Sequence, residues 1–257
     1  LNTRPSLSLD EPAAAGRLCA LFHEAGDPAP RDEEIAWYLA RLPGGGDPVL
    51  DLCCGFGRLL VPLVTAGRKL HGVDVSPAML ATCAARLAAD KLPPLFRQDV
   101  CDLNLPFRYA AAYASGGALQ GIVDSARARV ALERVRAHLV PPGILLLEMF
   151  VPSDSVQRIA APLVEVRTAR LSDDTRIAQR SETAIHVDAK IAHVDSRYVH
   201  RRGNAKLSEE RESRRVTWYS PEEASALVAE AGFCDVTIEV APREAPSGTA
   251  FALLARA

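Results

Sequence analysis

Residues 49–60, VLDLCCGFGRLL, and residues 70–80, LHGVDVSPAML, constrain the fold more than any other part of the chain. Residues 49–54 are a short, almost continuously apolar run, as a strand buried on both faces requires. Gly55 and Gly57 then let the backbone turn sharply and leave N–H groups exposed where the next helix, over residues 58–66, begins. A second apolar run over residues 69–73 ends in Asp74, 19 residues beyond Gly55. Ser76 and Pro77 follow as N-cap and first helical residue. Strand, glycine turn, helix and strand in this order predict a parallel sheet whose strand ends face a ligand crevice. Asp74 stands where a carboxylate accepts from ribose hydroxyls.

The alternation continues downstream. It predicts a helix over 78–90, a strand over 95–98 ending at Asp99, a strand over 109–114 closed by Ser115-Gly116-Gly117, a helix over 124–139 and a strand over 144–151. A helix over 221–231 and strands over 234–240 and 249–255 complete the sheet at its far edge, and helices over 13–23 and 31–42 precede it. Residues 163–218 do not alternate. Segments 163–170, 176–188, 191–201 and 211–218 are rich in Val, Ile, Thr and Arg and read as an antiparallel insertion. The expected organisation is one α/β domain with a doubly wound, mostly parallel sheet. Residues 1–45 form an N-terminal cap, 46–160 and 219–257 the core, and 161–218 the lid.

Composition narrows the function classes. Of 257 residues 48% are apolar and 24% charged, which excludes disorder for most of the chain. A net charge of -2 argues against a general polyanion binder. No apolar run approaches the ~20 residues that span a bilayer, and the first residues lack a secretory pattern, so a cytoplasmic protein is expected. The six cysteines form no CxxC pair and no zinc spacing; reduced thiols and no metal are expected.

Two cofactor classes compete for the glycine turn. A dinucleotide calls for a third glycine where helix and strand pack closely, and this chain has Leu60 there. A phosphate-free nucleoside such as S-adenosylmethionine needs only close backbone approach and the ribose acid.

VLDLCCGFGR, GVDVSPAML and FRQDVCDL resemble successive signature motifs of the class I S-adenosylmethionine-dependent methyltransferases, and PPGILLLEMF and YSPEEASALVAEAGF resemble the small-molecule branch. The resemblance implies a Rossmann-like, seven-stranded sheet with its last strand antiparallel, and S-adenosylmethionine as cofactor. It places Asp51, Cys53, Gly55 and Gly57 by the methionyl part, Asp74 on the ribose, Val75 and Met79 by the adenine, Asp99 and Val100 on the adenine amine and ring, and Ser115 near the sulfonium. Cys53 departs from the family by adding a side chain where the backbone passes the cofactor. Arg58 either contacts the cofactor's carboxylate or points to solvent. Asp102 reads as a surface acid.

Methyl transfer needs an in-line nucleophile and exclusion of water, and no side chain announces itself as the catalytic base. His23, His186, His193 and His200 lie outside the motifs, and Glu148 reads either as a ligand at a strand end or as a satisfied polar residue. Phe22, His23, Gln120, Phe150, Arg197, Tyr198 and Tyr219 are the candidates to meet the acceptor, and Trp37 and Tyr38 belong to the closing cap. The expected acceptor is an amine or hydroxyl of a small metabolite or natural product, on a monomer or a homodimer joined through the lid. The alternatives are methyl transfer to RNA or protein by way of the basic lid, a nicotinamide oxidoreductase, and a binding protein without catalysis. Acidic residues interrupting the basic cluster argue against nucleic acid.

Overall fold

The computed structural model describes residues 14–159, 161–243 and 247–257. Helices α1 (Arg17–Gly26) and α2 (Asp32–Arg41) precede β1 (Val49–Leu52), α3 (Leu60–Thr65), β2 (Leu70–Asp74), α4 (Pro77–Ala85), β3 (Leu95–Arg97), β4 (Tyr109–Ala114), α5 (Ser125–His138) and β5 (Leu139–Pro152). A short α6 (Asp154–Gln157) leads into β6 (Leu163–Arg170), β7 (Arg176–His186), β8 (Ile191–Arg202) and β9 (Ala205–Thr217). The chain returns through α7 (Pro221–Glu230), β10 (Cys234–Val240) and β11 (Gly248–Arg256).

The main sheet has seven strands in the order β10-β11-β5-β4-β1-β2-β3. β1 to β5 are parallel, and β11 lies antiparallel between β5 and β10. β1 is buried along its whole length and apolar except for Asp51: Leu50 and Leu52 face α5 and α7, packing with Leu132, Val135 and Val228. Val49 faces the other way, with Tyr38, Leu60, Leu63, Cys83 and Tyr113. Each buried leucine of this kind stabilises the fold by roughly 2 kcal/mol.

The lid is a separate antiparallel sheet in the order β6-β7-β8-β9. Its inner face is covered by α1, whose Phe22 packs on Tyr198 with ring centroids 5.6 Å apart. Glu210 of β9 accepts from the backbone N–H groups of Leu18 (2.9 Å) and Cys19 (3.3 Å), satisfying donors that an α-helix leaves unpaired at its start. At the other end of α1, Arg167 of β6 donates to Asp27 (2.9 Å). Burial pushes the Asp27 carboxyl up, but His23 and Arg167 together hold it down to about 2.

Several boundaries differ from the sequence reading. α1 starts at Arg17, where Glu210 caps it, rather than at residue 13, which lies outside the described residues. α4 ends at Ala85, and Arg86 just beyond it donates to the carbonyl of Phe56 (3.0 Å). β9 begins at Ala205, six residues before the expected strand, because it forms a hairpin with β8 around the turn at Gly203. β5 begins at Leu139, ahead of the Pro-Pro-Gly expected to introduce it.

Candidate active site

The site is built on the carboxyl ends of β1, β2, β4 and β5. After β1 the backbone passes through positive φ at Cys53 (54°), Gly55 (54°) and Gly57 (78°). A Cβ at Gly57 would lie 2.5 Å from the Cys83 sulfur, so this glycine lets the turn close against α4. Over Gly55 the space is open, and a Cβ there would meet nothing nearer than Met79 Sδ at 4.0 Å. Cys53 is a non-glycine residue in the left-handed region, a conformation that costs it about 1 kcal/mol. Its side chain packs against the α5 side of the core.

Asp74 fastens the turn. Its Oδ2 accepts from Gly55 N (2.9 Å) and its Oδ1 from Ser76 N (2.8 Å). Burial raises its pKa, and these backbone donors oppose the rise. Each carboxylate oxygen keeps a lone pair for a further donor. Val75 beside it is 50% exposed, an apolar surface left open next to the acid. Asp99 accepts from Cys101 N (2.8 Å) and pairs with Arg127 (3.6 Å), while Val100 is buried.

A polar layer lies beneath the turn, on the α2 side of the sheet. Asp51 Oδ2 accepts from the Tyr113 hydroxyl (2.7 Å), and burial pushes the Asp51 carboxyl up to about 8. Tyr38 stacks on Tyr113 with centroids 5.3 Å apart. Glu148 Oε2 accepts from Gly116 N (2.6 Å) and its backbone carbonyl from Gly117 N (3.2 Å), so one residue of β5 holds the loop after Ser115. That loop takes positive φ at Gly116 and Gly117. Tyr38 Oη and Glu148 Oε1 are buried side by side, and the phenol's hydrogen bond to Glu148 opposes the rise that burial imposes on that carboxyl.

Some expected site residues lie elsewhere. Arg58 does not point to solvent: both its Nη atoms bond Glu34 of α2, and their side chains are 13% and 4% exposed. Gln120 is 1% exposed and spent inside the protein, donating to Phe150 O and Thr217 O (2.8 Å each) and accepting from Phe150 N (2.8 Å). It ties the lid to β5 rather than meeting an acceptor. Phe22 and Tyr198 are buried in the contact between α1 and the lid, where the Tyr198 hydroxyl donates to Glu212 (3.0 Å). His23 bonds Asp27 (2.9 Å). Arg197 lies on the outer face of the lid, paired with Glu209. Tyr219 lines a groove of about 400 Å³ with Trp218, Lys190 and Leu227, and Phe150 stands half-buried beside Gly248. The sequence reading did not single out Glu34 and took Glu210 and Glu212 only as acids interrupting the lid's basic cluster; their roles depend on partners 14 to 192 residues away. Among the described residues no cluster of His, Cys, Asp and Glu could hold a metal, and no helix is long and apolar enough to cross a membrane.

Residues 49–143 match the family described as a methyltransferase domain. The dTDP-3-amino-3,6-dideoxy-alpha-D-glucopyranose N,N-dimethyltransferase of Streptomyces fradiae is 27% identical over 203 residues, covering 78% of this chain and 73% of its own length. A sugar N-methyltransferase from Streptoalloteichus sp ATCC 53650 superposes with a TM-score of 0.74 at 20% identity, over 100% of both chains. An amino pentose methyltransferase from Micromonospora echinaspora, solved with S-adenosylmethionine bound, gives 0.64 at 21% identity over 88% of this chain and 92% of its own.

The residues present fit that cofactor. The open space over Gly55, the exposed Val75 and the free lone pairs of Asp74 suit a nucleoside. The third glycine of a dinucleotide site is not needed, because Gly72 of β2 makes the room: a Cβ there would lie 2.7 Å from Leu60 Cδ1. Residues 49–143 thus match a methyltransferase domain, the chain has the class I methyltransferase fold, and it is an S-adenosylmethionine-dependent enzyme.

Proposed function

We propose that this enzyme methylates an amine of a small amino-sugar-like metabolite, with a sugar hydroxyl as the second choice of acceptor. The observation that carries this reading is the extent of the likeness to the Streptomyces fradiae N,N-dimethyltransferase. A match spanning 78% of the chain takes in strands of the lid, which walls the acceptor side, as well as the cofactor core.

When bound, the cofactor supplies an electrophilic methyl on a sulfonium whose leaving group is neutral. Asp74 holds the ribose, Gly55 and Gly57 let the backbone pass beneath it, Val75 and Met79 flank the adenine, and Asp99 accepts from its amine. Ser115 borders the sulfonium on a loop fixed by Glu148. The chain's contribution is then alignment and exclusion of water, effects worth several kcal/mol when an amine is held in line with the methyl. The lid with α1 provides the exclusion. Residues 14–45, the described part of the expected 1–45 cap, act as cap and 161–218 as lid, on a cytoplasmic monomer or a homodimer joined through the lid.

Incubation with labelled S-adenosylmethionine and a nucleotide-linked amino sugar should give a labelled N-methyl product, and the deaminated 3-hydroxy sugar should give far less. Label appearing only in RNA or protein would overturn the reading. The lid's charges argue against RNA: Arg197, Lys206 and Arg202 are each paired with a carboxylate. A salt titration of RNA binding checks this, with no binding expected even at low salt.

A further inference from the structure

The chain enters the lid after β5, which ends at Pro152, and leaves it after β9, which ends at Thr217. Both crossings meet at one side chain. The Gln120 carboxamide donates to the carbonyls of Phe150 and Thr217 (2.8 Å each) and accepts from Phe150 N (2.8 Å). A carboxylate, with no N–H, and an apolar side chain cannot make this set of bonds. Gln120 is 1% exposed and Thr217 5%, so water does not compete for them. The Thr217 hydroxyl donates in turn to Lys190 O (2.8 Å), next to the first residue of β8, and carries the tie into the middle of the lid sheet.

At its other end the connection reaches the loop that Ser115 begins. Ala118 N donates to Ser115 O (3.1 Å) and Gln120 N to Gly117 O (2.9 Å), so Ser115 to Gln120 form one hydrogen-bonded turn. Gly117 leaves room for the carboxamide: a Cβ there would lie 2.6 Å from Gln120 Oε1. Glu148 of β5 holds the same loop by Gly116 N and Gly117 N. A displacement of the loop therefore moves Gln120, and with it both roots of the lid.

We propose that Gln120 is a positioning residue for methyl transfer. It pins the two roots of the lid to the loop proposed to border the sulfonium, so the wall on the acceptor side takes its place from the donor side. This rests on the cofactor reading above and gives the lid its point of reference. Because Gln120 is spent inside the protein, it acts through the lid and not on a reactant, and in-line transfer is steeply sensitive to alignment. By the same bonds, filling the cofactor site tightens the roots of the lid.

The test uses the full chain. Gln120→Met keeps the length of the side chain and removes its three hydrogen bonds. It should bind S-adenosylhomocysteine within about threefold of wild type, and calorimetry then counts its folded sites. Saturation with S-adenosylhomocysteine should slow amide exchange at Thr217 and Trp218 at least fivefold in wild type and less than twofold in the variant. With labelled S-adenosylmethionine and the nucleotide-linked amino sugar, kcat per binding site should fall at least tenfold. A purely structural role would lower the number of sites and leave kcat per site unchanged; that result, or equal slowing of exchange in both proteins, overturns the proposal. So does a wild type whose Thr217 and Trp218 amides ignore S-adenosylhomocysteine. Wild type that binds S-adenosylhomocysteine but leaves the sugar unlabelled overturns the acceptor reading alone, and exchange then decides the role of Gln120. Wild type that binds no S-adenosylhomocysteine overturns the cofactor reading, and this proposal with it. Should Gln120→Met fail to fold, Gln120→Glu, which keeps an acceptor for Phe150 N and loses both donors, is read by the same measurements.

Discussion

Arg58 leaves the glycine turn and is met by Glu34 of α2, which takes both ends of its guanidinium inside the protein. Because the two side chains are 13% and 4% exposed, the pair is held in low dielectric. Removing one partner strands the other's charge. Glu34→Ala should therefore destabilise the fold by about 3 kcal/mol, whereas replacing both by apolar residues of similar size should cost much less. Urea denaturation of the single and double variants measures the difference.

Asp51 makes folding sensitive to pH. Its folded carboxyl titrates at about 8, well above its ordinary 3.8, so folding favours the protonated form. Its contribution to stability is complete below pH 4 and is lost as pH rises through 8, at up to about 1.4 kcal/mol per unit. Asp51→Asn keeps an oxygen for the Tyr113 hydroxyl and should flatten this part of the profile. Melting curves from pH 5 to about 9 would show an unchanged slope if burial did not raise this group.

The two glycines of the turn should respond differently. Gly57→Ala combines a positive φ with a 2.5 Å approach to the Cys83 sulfur, and should cost about 2–3 kcal/mol of stability. Gly55→Ala meets only the backbone penalty, about 1 kcal/mol, and its methyl enters the open space over the turn where the nucleoside is proposed to lie. Denaturation should rank Gly57→Ala as the less stable variant, with cofactor affinity falling in Gly55→Ala despite its milder effect on folding.

On the proposed cofactor site, Asp74→Asn should weaken S-adenosylhomocysteine by about 1–3 kcal/mol, because the Gly55 and Ser76 N–H groups use both carboxylate oxygens and the amide turns a donor toward one of them. Calorimetry on the folded variant checks it. Affinity equal to wild type would remove Asp74 from the ribose.

Glu210→Ala should cost about 1 kcal/mol, the usual loss when a helix start is uncapped. Glu210→Gln retains an acceptor and should recover part of it. Thermal melts give the first number, and faster amide exchange at Leu18 and Cys19 would locate the effect.

The parallel strands were legible in the sequence because burial on both faces writes itself as an almost continuous apolar run, as in residues 49–52 with Asp51 as the one exception. The start of β9 was not: Ala205-Lys206-Leu207-Ser208-Glu209-Glu210 is mostly polar, and only register with β8 makes it a strand. Gly55, Gly57 and Asp74 could be located because their spacing along the chain is itself the motif. Gln120 could not be read correctly, since the carbonyl of Thr217 that engages it lies 97 residues on. Nor does any local pattern show that Arg58 faces Glu34, or that Glu148 shares a buried layer with Tyr38.

Helix α1 is fastened on both sides. Glu210, Tyr198 and Arg167 bind it to the lid, and the Ser76 hydroxyl donates to the Ala15 carbonyl (2.5 Å) just ahead of it, at the ribose-acid turn. Lifting this helix away from Ser76 drags the whole four-stranded flap along. On the proposed function, opening the lid is therefore coupled to freeing the turn at Ser76, which ties exchange of the cofactor to exchange of the acceptor.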